Sequence, residues 1–130
     1  MLLQRYFDVS ESADVATFKS RLVQFANDMD FGLVSAMLVV ESPTLVGEDA
    51  FFSVANAPED FLADYNDESD RRRDPVMQRL KRLSVPFIYD QDMYAAEDAG
   101  DIWEKQAPFG YRTGVAVAIH MPDRRRFVLG

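Results

Sequence analysis

At 130 residues, 48% hydrophobic and 12% aromatic, the chain is long enough for one domain with one core and too apolar to stay disordered. Its 14 Lys and Arg face 22 Asp and Glu, and the net charge of −8 argues against direct duplex binding, because nucleic-acid affinity rests on neutralising phosphates. Zero cysteines exclude disulfides and thiolate metal sites and fit a cytoplasmic protein, no apolar run approaches the ~18 residues of a membrane span, and no basic n-region precedes an apolar stretch at the N-terminus.

Val15, Phe18, Leu22, Phe25 and Met29 recur at spacings of three and four, the apolar stripe of an amphipathic helix. Ser12 and Asp14 suit its start and Gly32 its end. Residues 33–40 read as a buried strand, residues 41–48 carry turn chemistry, and residues 51–55 return as a second strand in a hairpin-like pair. Pro58 suits the first turn of a helix that places Phe61 and Tyr65, four apart, on one face.

Asp74-Pro75 opens the next predicted helix, with Val76, Leu80 and Leu83 facing inward. Residues 86–89 are long enough only for an edge strand. Residues 91–106 read as one helix with Ala99, Ile102, Trp103 and Gln106 along one side. Val115, Val117 and Ile119 then alternate with Ala116, Ala118 and His120 as a strand, and residues 121–125 turn the chain into a last strand over residues 126–129. The expected class is α+β: a single domain over residues 1–130 in which helices flank a mostly antiparallel sheet. That strand still runs at Gly130, so the domain is expected to continue beyond it.

The side chains that could carry chemistry cluster around Asp74. Phe61 and Tyr65 precede it, and Tyr89, Trp103 and the segment Gly110-Tyr111-Arg112-Thr113-Gly114 follow. One carboxylate among aromatic side chains and glycines fits a closed apolar pocket with a single strong acceptor, suited to a small amphipathic ligand that carries an N–H. Asp74 also fits a helix N-cap, and the two roles use different lone pairs. No phosphate loop, nucleophile elbow or His-carboxylate metal motif occurs, so neither cofactor nor metal is expected. Arg71 to Arg73 and Arg124 to Arg126 read as solvated surface clusters in an acidic chain.

Phe61-x3-Tyr65-x8-Asp74-Pro75, Pro86-x2-Tyr89 and Gly110-Tyr-Arg-Thr-Gly114-Val, followed by a strand ending in His120, jointly resemble the autoinducer-binding domain of LuxR-type quorum-sensing regulators. The resemblance runs from about Val15 to the end of the chain. It implies a cytoplasmic α-β-α sandwich that encloses an N-acyl-homoserine lactone or related amide, favours a homodimer, and controls transcription through a C-terminal helix-turn-helix that touches DNA. No such motif falls within these residues. The implied role is that of a receptor, not an enzyme.

Position by position, the resemblance assigns Asp74 to the ligand amide N–H, and it places Tyr65 along the ligand. Gly114 stands where a side chain would intrude, and Ile102, Trp103 and Gln106 stand at the acyl-chain end. Val76, next to Asp74, is counted with the pocket. Tyr65 also reads as an aromatic core residue, Gly114 as a strand glycine at a bulge or close contact, and Trp103 as part of a helix core stripe.

Three positions depart from the family pattern. Phe61 stands where the family carries a tryptophan that donates to the lactone carbonyl, Tyr89 replaces a tryptophan that packs on the ring, and Ala57 replaces a donor tyrosine found in several members. Two other expectations follow from the residues. One is a sensor for a non-lactone ligand; the other is a stand-alone interaction protein that dimerises with a full-length regulator and inhibits it.

Overall fold

The computed structural model describes residues 2–41, 48–60 and 68–130. A five-stranded antiparallel sheet, in the order β2-β1-β5-β4-β3, forms its middle layer. The strands are β1 (Ser35–Glu41), β2 (Glu48–Ala55), β3 (Phe87–Tyr89), β4 (Gly114–Met121) and β5 (Arg125–Leu129). The described helices are α1 (Leu2–Ser10), α2 (Val15–Asp28), α3 (Glu68–Arg73), α4 (Pro75–Leu80), α5 (Gln91–Ala96) and α6 (Gly100–Gln106). This is the α+β sandwich expected from the sequence. The helix expected after Pro58 begins at residues 59–60, and its continuation, with Phe61 and Tyr65, lies outside the described residues, as does most of the turn between β1 and β2.

α2 begins where Asp14 Oδ1 accepts the Thr17 N–H at 2.7 Å. Its apolar stripe covers one face of the sheet: Leu22 and Ala26 pack with Val34, Ala36 and Val54, joined by Phe18, Val23, Phe127 and Leu129. The helix ends earlier than the expected stop at Gly32. Met29 is its C-cap, Asp30 takes a left-handed φ of 67°, and the Phe31 N–H closes back to the Ala26 carbonyl at 2.9 Å. α1, which the sequence reading did not anticipate, packs on α2 through Arg5–Asp28 at 3.0 Å and a bond from Arg21 to the Asp8 carbonyl at 2.6 Å.

On the opposite face α4 lays Val76, Met77 and Leu80 over Val39, Ala116, Ala118 and Val128. Along β4 the two alanines are the buried residues, while Val115 and Ile119 are exposed with the neighbouring Ile88 of β3. β3 is the edge strand that residues 86–89 suggested. The expected helix over residues 91–106 is two helices. Asp98 takes a left-handed φ of 56° between them, and the Ala99 N–H bonds to the Tyr94 carbonyl at 2.8 Å.

Two further expectations need correction. α4 stops at Leu80, so Leu83 is 36% exposed instead of facing inward, and its carbonyl receives His120 Nε2 at 3.1 Å. Arg126 is not solvated but 5% exposed, because strand alternation puts it on the same face as Val128.

Leu80 is fixed in the core by α4, so Leu80→Ala is expected to lower stability by about 2–5 kcal/mol, read from the urea midpoint at unchanged slope. Leu83→Ala, at the exposed position, is expected to change it by less than about 0.5 kcal/mol.

Candidate functional site

Pro75 organises the site. A proline disfavours helical backbone at the residue before it, and Asp74 accordingly has φ −61°, ψ 118° between α3 and α4. The Asp74 N–H still closes α3 by bonding to the Asp70 carbonyl at 2.9 Å, while its carbonyl begins α4 by accepting from Gln78 N–H at 3.0 Å. The break turns the side chain inward, where it is 3% exposed.

Its Oδ1 accepts the Val76 N–H at 2.9 Å and the Tyr94 hydroxyl at 3.0 Å. The expected N-cap role is therefore present, and it leaves lone pairs of the carboxylate for a ligand. The Tyr94 hydroxyl also lies 3.4 Å from Gln106 Oε1, and Gln106 Nε2 donates to the Tyr111 carbonyl at 3.1 Å. Tyr94 itself is 2% exposed and packs with Ala99 and Ile102. A buried chain of polar groups thus joins α4, α5, α6 and the segment before β4.

This corner opens on a cavity of about 160 Å³ between sheet and helices. Its floor on the sheet includes the small residues Ser35, Ser53, Ala55, Ala116 and Gly130, beside Val128 and Leu129. Its walls are Met37, Val76, Met77, Leu80 and the rings of Tyr89, Tyr94 and Tyr111, with Asp74 and Gln106 as polar groups. Protein interiors hold few voids larger than a water molecule, so an apolar cavity of this size beside a carboxylate reads as a binding site.

Four of the residues expected in the site line this cavity: Asp74, Val76, Tyr89 and Gln106. Gly114 adjoins it by lying under the Tyr89 ring. Ile102 and Trp103 sit behind Tyr94 and are not among the lining residues. Trp103 instead donates from Nε1 to the Arg112 carbonyl at 2.9 Å, which fixes the segment carrying Tyr111. Ala57 is half-buried away from the lining, and Phe61 and Tyr65 lie outside the described residues.

Sequence reasoning missed Tyr94 and named Tyr111 only as part of the segment before β4. The available signal for Tyr94 was Asp90, whose Oδ1 caps α5 by accepting the Met93 N–H at 2.9 Å and so starts a separate helix. At the rim, Arg73 pairs with both oxygens of Asp101 at 3.1 and 2.9 Å, and Lys105 Nζ reaches Asp70 at 2.6 Å, linking α3 to α6.

Burial holds the Asp74 carboxyl above the ordinary aspartate range; the N–H groups of Val76 and Met77 and the Tyr94 hydroxyl oppose the shift, and the charge of Asp70 adds to it. Burial pushes the Tyr111 hydroxyl up to about 12 and also raises that of Tyr89, so both are donors near neutral pH.

The folded state therefore holds the Asp74 proton more tightly than the unfolded chain, whose value is 3.8. Stability from this group is complete below that value and is lost as pH rises through the higher folded value. Asn at position 74 can still cap α4 but does not titrate. The melting temperature of the wild type relative to Asp74→Asn is expected to fall as pH rises upward from 3.8, measured by thermal unfolding of both proteins across that range. A difference that does not change with pH contradicts the reading.

The profile of the autoinducer binding domain family matches residues 14–129. No curated protein sequence matches the chain. Among solved structures, it is similar to the N-acylhomoserine lactone-dependent LuxR-family transcription factor CepR2 from Burkholderia cenocepacia, with a TM-score of 0.78 and 17% identity over 98% of this chain and 74% of that one. Escherichia coli SdiA gives a TM-score of 0.81 with 16% identity over 98% of this chain and 52% of SdiA. SdiA in complex with octanoyl-rac-glycerol gives 0.79 with 19% identity over 99% of this chain and 50% of that one. The chain thus spans about half the length of SdiA in these two structures. At these identities the likeness is one of fold, and the family match carries the identification: the chain belongs to the autoinducer binding domain family.

Proposed function

We propose that this domain binds an N-acyl-homoserine lactone or a related amide, with Asp74 accepting the ligand N–H. The observation that carries this is the buried Asp74 carboxylate at the edge of an apolar cavity. A charge-assisted bond inside such a cavity is stronger than a neutral one, and it selects ligands that bring a donor. The apolar walls take the acyl chain, and the flexible Met37 and Met77 side chains adapt to it. In this reading the domain is a cytoplasmic receptor and not an enzyme. It acts as a homodimer and controls transcription through a helix-turn-helix DNA-binding domain C-terminal to the sensor. The family match and the likeness to a LuxR-family transcription factor support that output.

A second reading has its own support. One similar structure holds octanoyl-rac-glycerol, an acyl ester without an amide. A ligand of that type would offer hydroxyl donors to Asp74 in place of the N–H.

Calorimetry and thermal shift with homoserine lactones from butanoyl to dodecanoyl, and with octanoyl-rac-glycerol beside them, test the proposal. A lactone at 100 times its Kd is expected to stabilise the domain by about 2.7 kcal/mol, a rise of several degrees in Tm. Asp74→Ala is expected to weaken lactone binding by roughly 10- to 150-fold, the equivalent of about 1.5–3 kcal/mol. A folded protein that responds to no lactone, or an Asp74→Ala variant that binds lactones as the wild type does, overturns the amide reading. Response to the glycerol ester alone establishes the second.

A further inference from the structure

Among the described residues, no group takes up the hydroxyl donor of Tyr89. It is the last residue of β3 and stands opposite Gly114 in the register with β4. Its ring lies across that glycine: a Cβ at position 114 would meet Tyr89 Oη at 2.5 Å, Cζ at 2.6 Å and Cε1 at 2.7 Å. Gly114 has no positive φ to accommodate, so the glycine serves space and not backbone conformation. Lying down in this way, the phenol packs edge-on against Tyr94, with ring centroids 6.5 Å apart and planes at 79°. Tyr94 in turn holds Asp74. Both Tyr89 and Asp74 line the cavity.

Among the described residues the Tyr94 hydroxyl has acceptors in Asp74 and Gln106, whereas the Tyr89 hydroxyl makes no hydrogen bond. Burial and the negative charge of Asp74 both keep it protonated. An acceptor and a free donor therefore share one corner of an apolar cavity. The half-buried Tyr89 hydroxyl is open to water, a ligand that fills the cavity displaces that water, and a ligand carbonyl then restores the hydrogen bond that would otherwise be lost.

The covalent geometry of an amide decides which carbonyl this can be. In a trans amide the N–H and C=O point to opposite sides of the C–N bond, so an amide anchored by its N–H to Asp74 turns its own carbonyl away from that corner. A carbonyl on the nitrogen's other substituent can lie on the same side as the N–H. We propose that the Tyr89 hydroxyl donates to the ring carbonyl of the lactone, so that Asp74 and Tyr89 together read a donor and an acceptor held on the same side of the ligand. This rests on the lactone reading above. It also supplies, from a different residue, the carbonyl donor that the side chain of Phe61 does not have.

The test compares N-acyl-homoserine lactones, butanoyl to dodecanoyl, with the matching N-acyl cyclopentylamides, which keep the amide and lack the ring carbonyl. Calorimetric Kd values are measured for the wild type, Tyr89→Phe and Gly114→Ala. The wild type is expected to prefer the lactone. Tyr89→Phe is expected to weaken the lactone by about 2- to 12-fold and change the cyclopentylamide by less than about twofold. Gly114→Ala, which pushes the ring aside without removing the hydroxyl, is expected to reduce the same preference. If the wild type binds both ligand types and Tyr89→Phe weakens both equally or neither, the Tyr89 assignment is overturned while the lactone reading stands. If the wild type binds neither, both are overturned.

Discussion

Taking a carboxylate out of water costs several kcal/mol unless its oxygens find donors, and the neighbourhood of Asp74 meets part of that requirement, at Oδ1. Pro75 forces the backbone of Asp74 out of the helix, which brings the Val76 N–H to its Oδ1; α5 then brings the Tyr94 hydroxyl to the same atom. Once this arrangement is in place, much else is constrained. Tyr94 must be buried, α5 must end early enough to present it, and Gln106 must follow on α6 to continue the chain of hydrogen bonds. The rest of the Asp74 carboxylate lies beside a cavity and is left to whatever enters it.

The cavity exists because of an unequal division of side-chain volume across the sheet. On the α2 side, Leu22, Val34 and Val54 fill the layer in the ordinary manner of a packed core. On the α4 side much of the floor is serine, alanine and glycine, with Met37 and Val128 beside them, while the larger groups Met77, Leu80, Tyr89 and Tyr94 come from the helices and the edge strand. Small residues at the floor leave room that larger ones would close. Ala116 and Ala118 are therefore the buried face of β4, and the valine and isoleucine of the same strand point outward. Function here takes the form of missing volume with one charge beside it.

That arrangement also explains what was legible in the sequence. The elements themselves were clear where apolar residues repeat at helical and strand periods: the stripe from Val15 to Met29 marks α2, although both of its end residues are exposed, and the alternation over residues 115–120 is β4. Asp74 was legible as a helix start because proline fixes its backbone, and the same dipeptide carries the proposed role of ligand acceptor. Tyr94 was not legible, and the reason is geometric. In one continuous helix it falls about 140° from Ala99, off the inward stripe, since each residue advances about 100°. The break at Asp98 brings it back, and a non-glycine residue in the left-handed region carries no reliable sequence mark. α1 was missed although Leu3, Tyr6 and Phe7 stand at helical spacing, and all three are exposed. Arg126 was misread because a basic triplet looks solvated until strand alternation places one of its members inside.

The central claim is that the Asp74 carboxylate is poised in its cavity to receive an N–H donor. Carbon-13 NMR of the Asp74 carboxyl, titrated in the free protein and in the presence of a saturating homoserine lactone, tests it most directly. The account predicts a free-protein titration above the ordinary aspartate range that moves downward when the lactone is bound, because a donated N–H favours the charged form. A titration that starts in the ordinary range, or one that bound lactone leaves where it was, would contradict it.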